Sequence, residues 1–298
     1  MPLRRIVVGV DFSPGSEVAT ERASELATSH GAELVLVHAG AVAEAPDVPA
    51  SMQPTVDAYL DVLRDTLASD RARLDALQAK LVAAGVQVSH VVVDRDADDA
   101  LVETATEIGA DLVITGAREL SSARRWLLGS VAEKVVRAAP CSVLCARAGD
   151  PDRGFSRIVV GTDYSEGATL ALARAVDVAE PGATIDVVHC FQLGLWPGAG
   201  VPSTDVVDAY RELRAELTRD AEARGRAAIA RFADAKVTFR IALREDNPRE
   251  ALRAVAAEVH ADLIVVGSHG RRGLRRWLVG SVAESVISDS PCSVLVAR

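Results

Sequence analysis

Arg5-Ile6-Val7-Val8-Gly9-Val10-Asp11-Phe12-Ser13 returns 152 residues later as Arg157-Ile158-Val159-Val160-Gly161-Thr162-Asp163-Tyr164-Ser165. The echo continues outward from there. Ala110-Asp111-Leu112 returns as Ala261-Asp262-Leu263, and Arg124-Arg125-Trp126-Leu127 as Arg275-Arg276-Trp277-Leu278. Gly129-Ser130-Val131-Ala132-Glu133 returns as Gly280-Ser281-Val282-Ala283-Glu284, and Pro140-Cys141-Ser142-Val143-Leu144 as Pro291-Cys292-Ser293-Val294-Leu295. These later blocks are 151 residues apart, so the offset drifts by one residue over the whole length. The chain is one unit written twice. A period this long means two globular domains and not a solenoid of short repeats. The expected division is residues 1–147 and 155–298, joined by a polar Gly/Pro linker at 148–154.

Within each copy, short apolar runs alternate with helical patterns. In the first, Ile6–Val10 reads as a buried strand and Glu17–His30 as a helix, with Ser13-Pro14 as cap and first turn. Glu33–His38 is a second strand. Leu60, Leu63, Leu67, Leu74, Leu77 and Leu81 then recur at helical spacing. Val86–Val93, Asp111–Thr115 and Ser142–Ala146 complete five strands, with helices at Ala97–Ile108 and Gly129–Arg137 between them. The second copy promises the same series. Strands that are apolar on both faces and separated by helices imply a parallel sheet covered on both sides.

Composition sets the outer bounds. Of 298 residues, 49% are hydrophobic and only 4% aromatic, so a real core is affordable and it must be aliphatic. A net charge of −9 disfavours a large nucleic-acid face. No apolar run reaches the roughly 18–20 residues of a membrane span, and Ile6–Val10 is too short for a signal peptide's apolar region. Four scattered cysteines do not make a disulfide framework, so the expected compartment is the cytoplasm.

In such sheets, ligands bind beyond the carboxyl ends of the strands, where connections diverge. Asp11 and Asp163 end the first strand of each copy. After the fourth strand of the second copy comes Gly267-Ser268-His269-Gly270-Arg271-Arg272-Gly273, and Gly280-Ser281 opens the next helix. Glycines let backbone N–H groups approach an anion, and a helix N-terminus adds unpaired donors with partial positive charge. Residues 267–281 carry four arginines and no acid, a local concentration of positive charge in an acidic chain. A surface loop of solvated arginines and turn glycines is the plain alternative. The strand–loop–helix setting in both copies favours a phosphate site.

Gly267-x2-Gly270-x9-Gly280-Ser281, following Ala261-Asp262-Leu263-Ile264-Val265-Val266, resembles the ATP-binding signature of universal stress proteins. The opening Val-Gly-x-Asp-aromatic-Ser, Val37-His38 with Val188-His189, and Pro-Cys-Ser-Val-Leu are similar to other blocks of that family, in order and twice over. The resemblance implies two tandem Rossmann-like domains of the adenine nucleotide alpha hydrolase-like type. Each would be a five-stranded parallel sheet of order 3-2-1-4-5 flanked by helices. It implies an internal pseudo-dimer, with the two last strands near one another, and leaves a homodimer open. Nucleic acid and membrane are not among the implied partners. Asp163 and Cys190 would contact the adenosine end of the nucleotide, and Val266 and Gly267 would line it. Gly270, Gly280 and Ser281 would take the ribose-triphosphate portion, with Val282 beside them. The first-copy counterparts are Asp11, Ala39, Thr115, Gly116, Gly129, Ser130 and Val131.

The first copy departs from the pattern at Glu119, where the second has Gly270. A carboxylate beside a phosphate costs on the order of several kcal/mol at an intermediate dielectric. The second domain is therefore expected to bind ATP well and the first weakly or not at all. Magnesium is an optional companion, since it prefers phosphate oxygens and water and leaves little protein signature.

A P-loop lysine motif and Gly-x-Gly-x-x-Gly are both missing, which disfavours an ordinary P-loop ATPase or a nicotinamide dehydrogenase. The six histidines are not spaced as a metal cage. His38 and His189 read as strand-end hydrogen-bonding residues, and Cys141 and Cys292 as buried thiols. With no positioned nucleophile or base, efficient catalysis is not indicated. Stress-response action through nucleotide-dependent conformation and partner contact is the leading expectation. A slow ATPase or phosphotransferase and a nucleotide-free interaction module are the alternatives.

Overall fold

A computed structural model describes residues 2–40, 48–49, 51–117, 129–147, 154–193, 204–269 and 280–298. The described residues fall into two compact units, 2–147 and 154–298.

The first unit runs β1 (Arg5–Gly9), α1 (Pro14–His30), β2 (Glu33–Ala39), α2 (Gln53–Ala83), β3 (Val88–Val93), α3 (Ala97–Ile108), β4 (Leu112–Gly116), α4 (Ser130–Ala138) and β5 (Ser142–Ala146). Its strands pair in parallel in the order β3-β2-β1-β4-β5. The second runs β6 (Phe155–Thr162), α5 (Glu166–Val178), β7 (Ala179–Phe191), α6 (Thr204–Ile229), β8 (Thr238–Glu245), α7 (Pro248–Glu258), β9 (Leu263–Gly267), α8 (Ser281–Ser288) and β10 (Ser293–Ala297). Its order, β8-β7-β6-β9-β10, is the same 3-2-1-4-5 pattern, again parallel. The expected fold is the observed one.

The apolar runs form the cores. Ile6, Val7 and Val8 of β1 and Ile158, Val159 and Val160 of β6 are fully buried, because each central strand carries helices on both faces. The repeated Ala-Asp-Leu block has a structural reason. Asp262 accepts from the Ser156 N–H at 2.8 Å, the Ser156 hydroxyl at 2.7 Å and the Arg157 N–H at 3.0 Å, tying the start of β9 to the start of β6. Asp111 does the same for β4 and β1 through the Arg4 and Arg5 N–H groups.

Helix α1 begins at Pro14 with Ser13 as the expected cap, accepting the Ser16 N–H at 3.3 Å. The strands of the first domain begin and end within two residues of expectation. Strand β7 begins at Ala179 and carries Pro181-Gly182 inside it, with a register shift against β6. An apolar pattern that starts only at Ile185 does not announce those earlier residues.

Candidate functional site

Strand β1 lies between β2 and β4, so the connections leaving β1 and β4 diverge to opposite faces and open a crevice at their carboxyl ends. In the first domain that crevice is a cleft of about 430 Å³. All seven expected residues line it: Asp11 beyond β1, Ala39 at the end of β2, Thr115 and Gly116 closing β4, and Gly129, Ser130 and Val131 opening α4. Val10, Val37 and Leu101 add apolar wall. Gly129 is the extended N-cap of α4, and the Glu133 N–H is already bonded to its carbonyl at 3.0 Å. Ser130, Val131 and Ala132, whose N–H groups precede the helical ladder, line the cleft.

The carboxylate at the end of β1 is set by an unusual turn. Phe12 and Tyr164, the residues after Asp11 and Asp163, both have φ of 60°, a conformation that bulky residues rarely adopt. Each domain stabilises the turn in the same way. His38 Nδ1 donates to the Val10 carbonyl at 2.7 Å, and His189 Nδ1 to the Thr162 carbonyl at 2.8 Å. The rings then pack at a tilt, Phe12 against His38 with centroids 5.6 Å apart and Tyr164 against His189 at 4.6 Å. Arg73 lies 3.7 Å over Phe12, and the Tyr164 hydroxyl donates to the Ala221 carbonyl at 2.6 Å. The histidines thus fix the strand end by hydrogen bonding and packing.

The turn folds each carboxylate back onto the next helix start. Asp11 accepts the Ser13 N–H at 2.9 Å and Asp163 the Ser165 N–H at 3.0 Å. Burial works against the Asp11 charge, but hydrogen bonds from Ser13 and Ser16 outweigh it and hold the carboxyl below its ordinary range. Asp11 is therefore an ionised acceptor at neutral pH.

In the second domain the corresponding residues again sit at one edge. Asp163 follows β6, Cys190 lies at the end of β7, Val266 and Gly267 close β9, and Gly280, Ser281 and Val282 open α8. The Gly280 N–H donates to the Ser268 carbonyl at 2.8 Å, which holds the start of α8 against the end of β9. Gly270 and Glu119, the pair on which the two loops were expected to differ, lie outside the described residues, as do the loop arginines and Trp126 and Trp277.

Gly116 and Gly267 have a reason beyond a ligand. A Cβ on Gly116 would stand 2.5 Å from the Gly15 carbonyl oxygen, and one on Gly267 would stand 2.8 Å from that of Gly167. The contact is reciprocal: a Cβ on Gly15 would meet the Ala117 carbonyl at 2.8 Å and one on Gly167 the His269 carbonyl at 2.5 Å. Strand end and helix start approach backbone to backbone at both places. Sequence reasoning missed Gly15 and Gly167, as well as Ser13 and Ser16 in the cleft wall. The signal was present: a glycine four residues after the aspartate in both copies, inside a helix start where glycine has no propensity reason.

The thiols near these strand ends are not activated. Burial pushes Cys145 up to about 11, beside the Thr115 hydroxyl. Burial, with Asp246 adding to it against Arg244, pushes Cys190 up to about 11. Both are protonated at neutral pH and suit lining better than nucleophilic chemistry. Among the described residues, no group of three His, Cys, Asp or Glu is placed to hold a metal ion. No described helix is long and apolar enough to cross a membrane.

Comparison with known proteins bears on family and fold. Universal stress protein Rv2623 of Mycobacterium tuberculosis is 31% identical over 304 residues, covering 98% of this chain and 96% of that protein. Universal stress protein MJ0531 of Methanocaldococcus jannaschii is 30% identical over 145 residues, 48% of this chain and 82% of its own. The crystal structure of a universal stress protein from Archaeoglobus fulgidus covers 99% of this chain and 98% of its own, with a TM-score of 0.68 at 22% identity, a likeness of fold. The profile of the universal stress protein family matches residues 2–147 and again 154–298, so the chain belongs to the universal stress protein family as a tandem, two-domain member.

Proposed function

We propose that this protein binds ATP at the carboxyl ends of its central strands, and that the bound nucleotide sets the conformation it offers to a protein partner in a stress response. The observation that carries this reading is the first-domain cleft, which gathers seven separately expected residues around one space. Its volume of about 430 Å³ falls in the range of small-molecule sites. Apolar wall from Val37, Ala39 and Leu101 suits a base, and the ionised Asp11 suits a hydroxyl or amino donor. The first turn of α4 suits phosphate oxygens. Magnesium, when present, would ride on those oxygens and on water. The second domain offers the same frame, with Asp163, Cys190, Val266, Gly267, Gly280, Ser281 and Val282 in the corresponding places and Gly270 in its loop.

The test is calorimetric titration of the full chain with ATP, compared with Ser130→Asp and Ser281→Asp. Aspartate at a first helical position favours the helix, so folding survives. The same charge opposes a triphosphate. Ser281→Asp is expected to weaken the stronger binding event, at the second domain, by about 100-fold or more, and Ser130→Asp to leave that event intact while removing any weaker one at the first. Absence of any binding by the unmodified chain at millimolar ATP overturns the proposal.

A further inference from the structure

In the first domain Leu60, Leu63 and Leu67 of α2 share one face of the helix, with Leu60 buried and the other two half-buried. At the spacing of 151 residues that relates His38 to His189, α6 carries Arg211, Arg214 and Thr218 instead. The series of elements repeats, but these three leucines are exchanged for polar side chains, and the exchange calls for a cause.

The cause offered by the geometry is a cleft of about 750 Å³, lined by Tyr210, Arg211, Arg214, Thr218 and Arg219 of α6 and by Glu245, the last residue of β8. Its lining holds three guanidinium groups against one carboxylate, and Asp208 beside Arg211 brings the local excess to one positive charge. Glu245 is already engaged. It accepts from the Tyr210 hydroxyl and from Arg214 Nε at 2.8 Å, and the Tyr210 hydrogen bond, with the Arg214 charge, holds it below the usual carboxylate range. That clamp orients Arg214 through one nitrogen and leaves its terminal N–H groups for another acceptor. Arg211 pairs with Asp208 at 3.2 Å, but both are exposed, and such pairs are weak. Arg219 Nε donates to the Ala215 carbonyl at 3.3 Å and makes no ion pair among the described residues. The Tyr210 ring, the Ala215 methyl and the arginine stems supply apolar wall beneath the charged groups. From Arg211 to Arg219 the helix advances about 12 Å.

We propose that this cleft binds a doubly charged organic anion of metabolite size, a phosphate monoester or a dicarboxylate. Guanidinium groups match both in planar, paired hydrogen bonds. The cleft shares no residue with the proposed ATP sites, so either proposal can fail without the other.

The probes are phenyl phosphate and phthalate, with benzyl alcohol as the neutral control. They are titrated into the full chain carrying Ser130→Asp and Ser281→Asp, which closes the triphosphate sites. At least one dianion is expected to bind at millimolar concentration or below, to weaken with added salt, and to lose about tenfold or more in affinity in both Arg214→Gln and Arg219→Gln. Benzyl alcohol is expected not to bind. The dianion that binds more tightly names the class. These arginines are exposed, so the variants should fold, which circular dichroism checks. Neither dianion binding below about 10 mM, or binding unchanged in both variants, overturns the proposal.

Discussion

Asp11, Ala39, Thr115 and Ala117 of the first domain stand where the second has Asp163, Cys190, Val266 and Ser268. The backbone around them is duplicated closely. Both domains have the φ 60° aromatic turn, the histidine that bonds the strand end, the serine cap and the pair of glycines in mutual contact. Of the side chains that line the crevice, Ala39, Thr115 and Ala117 give way to Cys190, Val266 and Ser268, while Asp11, Ser130 and Val131 recur as Asp163, Ser281 and Val282. Duplication followed by change has thus spared what shapes the crevice and altered only part of what lines it. Geometry is held by features with few chemical solutions, such as glycine where backbones touch. A lining position tolerates any side chain of fitting size.

The largest effect is expected where the frame itself is struck. Gly116→Ala puts a methyl group against the Gly15 backbone, which no rotamer change relieves, and the loss is expected to be about 3 kcal/mol or more. Gly267→Ala meets the Gly167 backbone at the slightly longer 2.8 Å and should cost less, about 1–3 kcal/mol. Denaturant titration of each variant measures both. Equal stability with the parent at either position would break the claim that close approach, and not ligand chemistry, dictates these glycines.

Next come the aspartates that tie β1 to β4 and β6 to β9. Asp262 is buried and accepts three donors, one of them a side chain, whereas Asp111 is partly exposed and accepts two. Removing a carboxylate from buried N–H groups strands those donors. Asp262→Ala should cost about 3 kcal/mol and Asp111→Ala about half of that. Thermal unfolding that ranks the two variants in the opposite order would show that burial does not govern this pair.

The strands were legible because an aliphatic run of five residues covered on both faces has few other fates, and β5 and α3 came out to the residue. The carboxylate, the capping serine and the helix-opening Gly-Ser were legible because each has a local signature that recurs in both copies. Gly15 and Gly167 were not, because their reason is tertiary: it appears only when β4 and α1, or β9 and α5, are brought together. The polar face of α6 escaped for the opposite reason. The leucines of α2 have polar residues at the equivalent positions of α6, and a repeat in sequence does not oblige a helix face to keep its chemistry.

The loops sharpen the comparison from sequence alone. Glu119→Gly removes a carboxylate from the first loop, and Gly270→Glu places one in the second. On the proposed function, the first change should tighten ATP binding at the first domain by about tenfold and the second should weaken the other event by about as much. Each change is read in the background in which the opposite site carries its serine-to-aspartate block. Affinities that stay put would mean that position 119 does not approach the phosphates.

The smallest effect concerns acid. The Asp11 carboxyl binds its proton less readily in the folded chain than its ordinary value of 3.8, because the hydrogen bonds from Ser13 and Ser16 reward the ionised form more than burial penalises it. Its contribution to stability is therefore complete above about pH 4 and fades as the pH falls toward the lower folded value. Asp11 is exposed, so solvent screening keeps that contribution to at most about 1 kcal/mol. Asp11→Asn keeps the shape and an acceptor oxygen but cannot titrate. Its unfolding free energy should lie slightly below that of the parent at pH 6, and the gap should close as the pH is lowered through 4 to 3. A gap that widens in acid would reverse the sign of the argument, and with it the assignment of Asp11 as the ionised acceptor that gives the first-domain cleft its polar end.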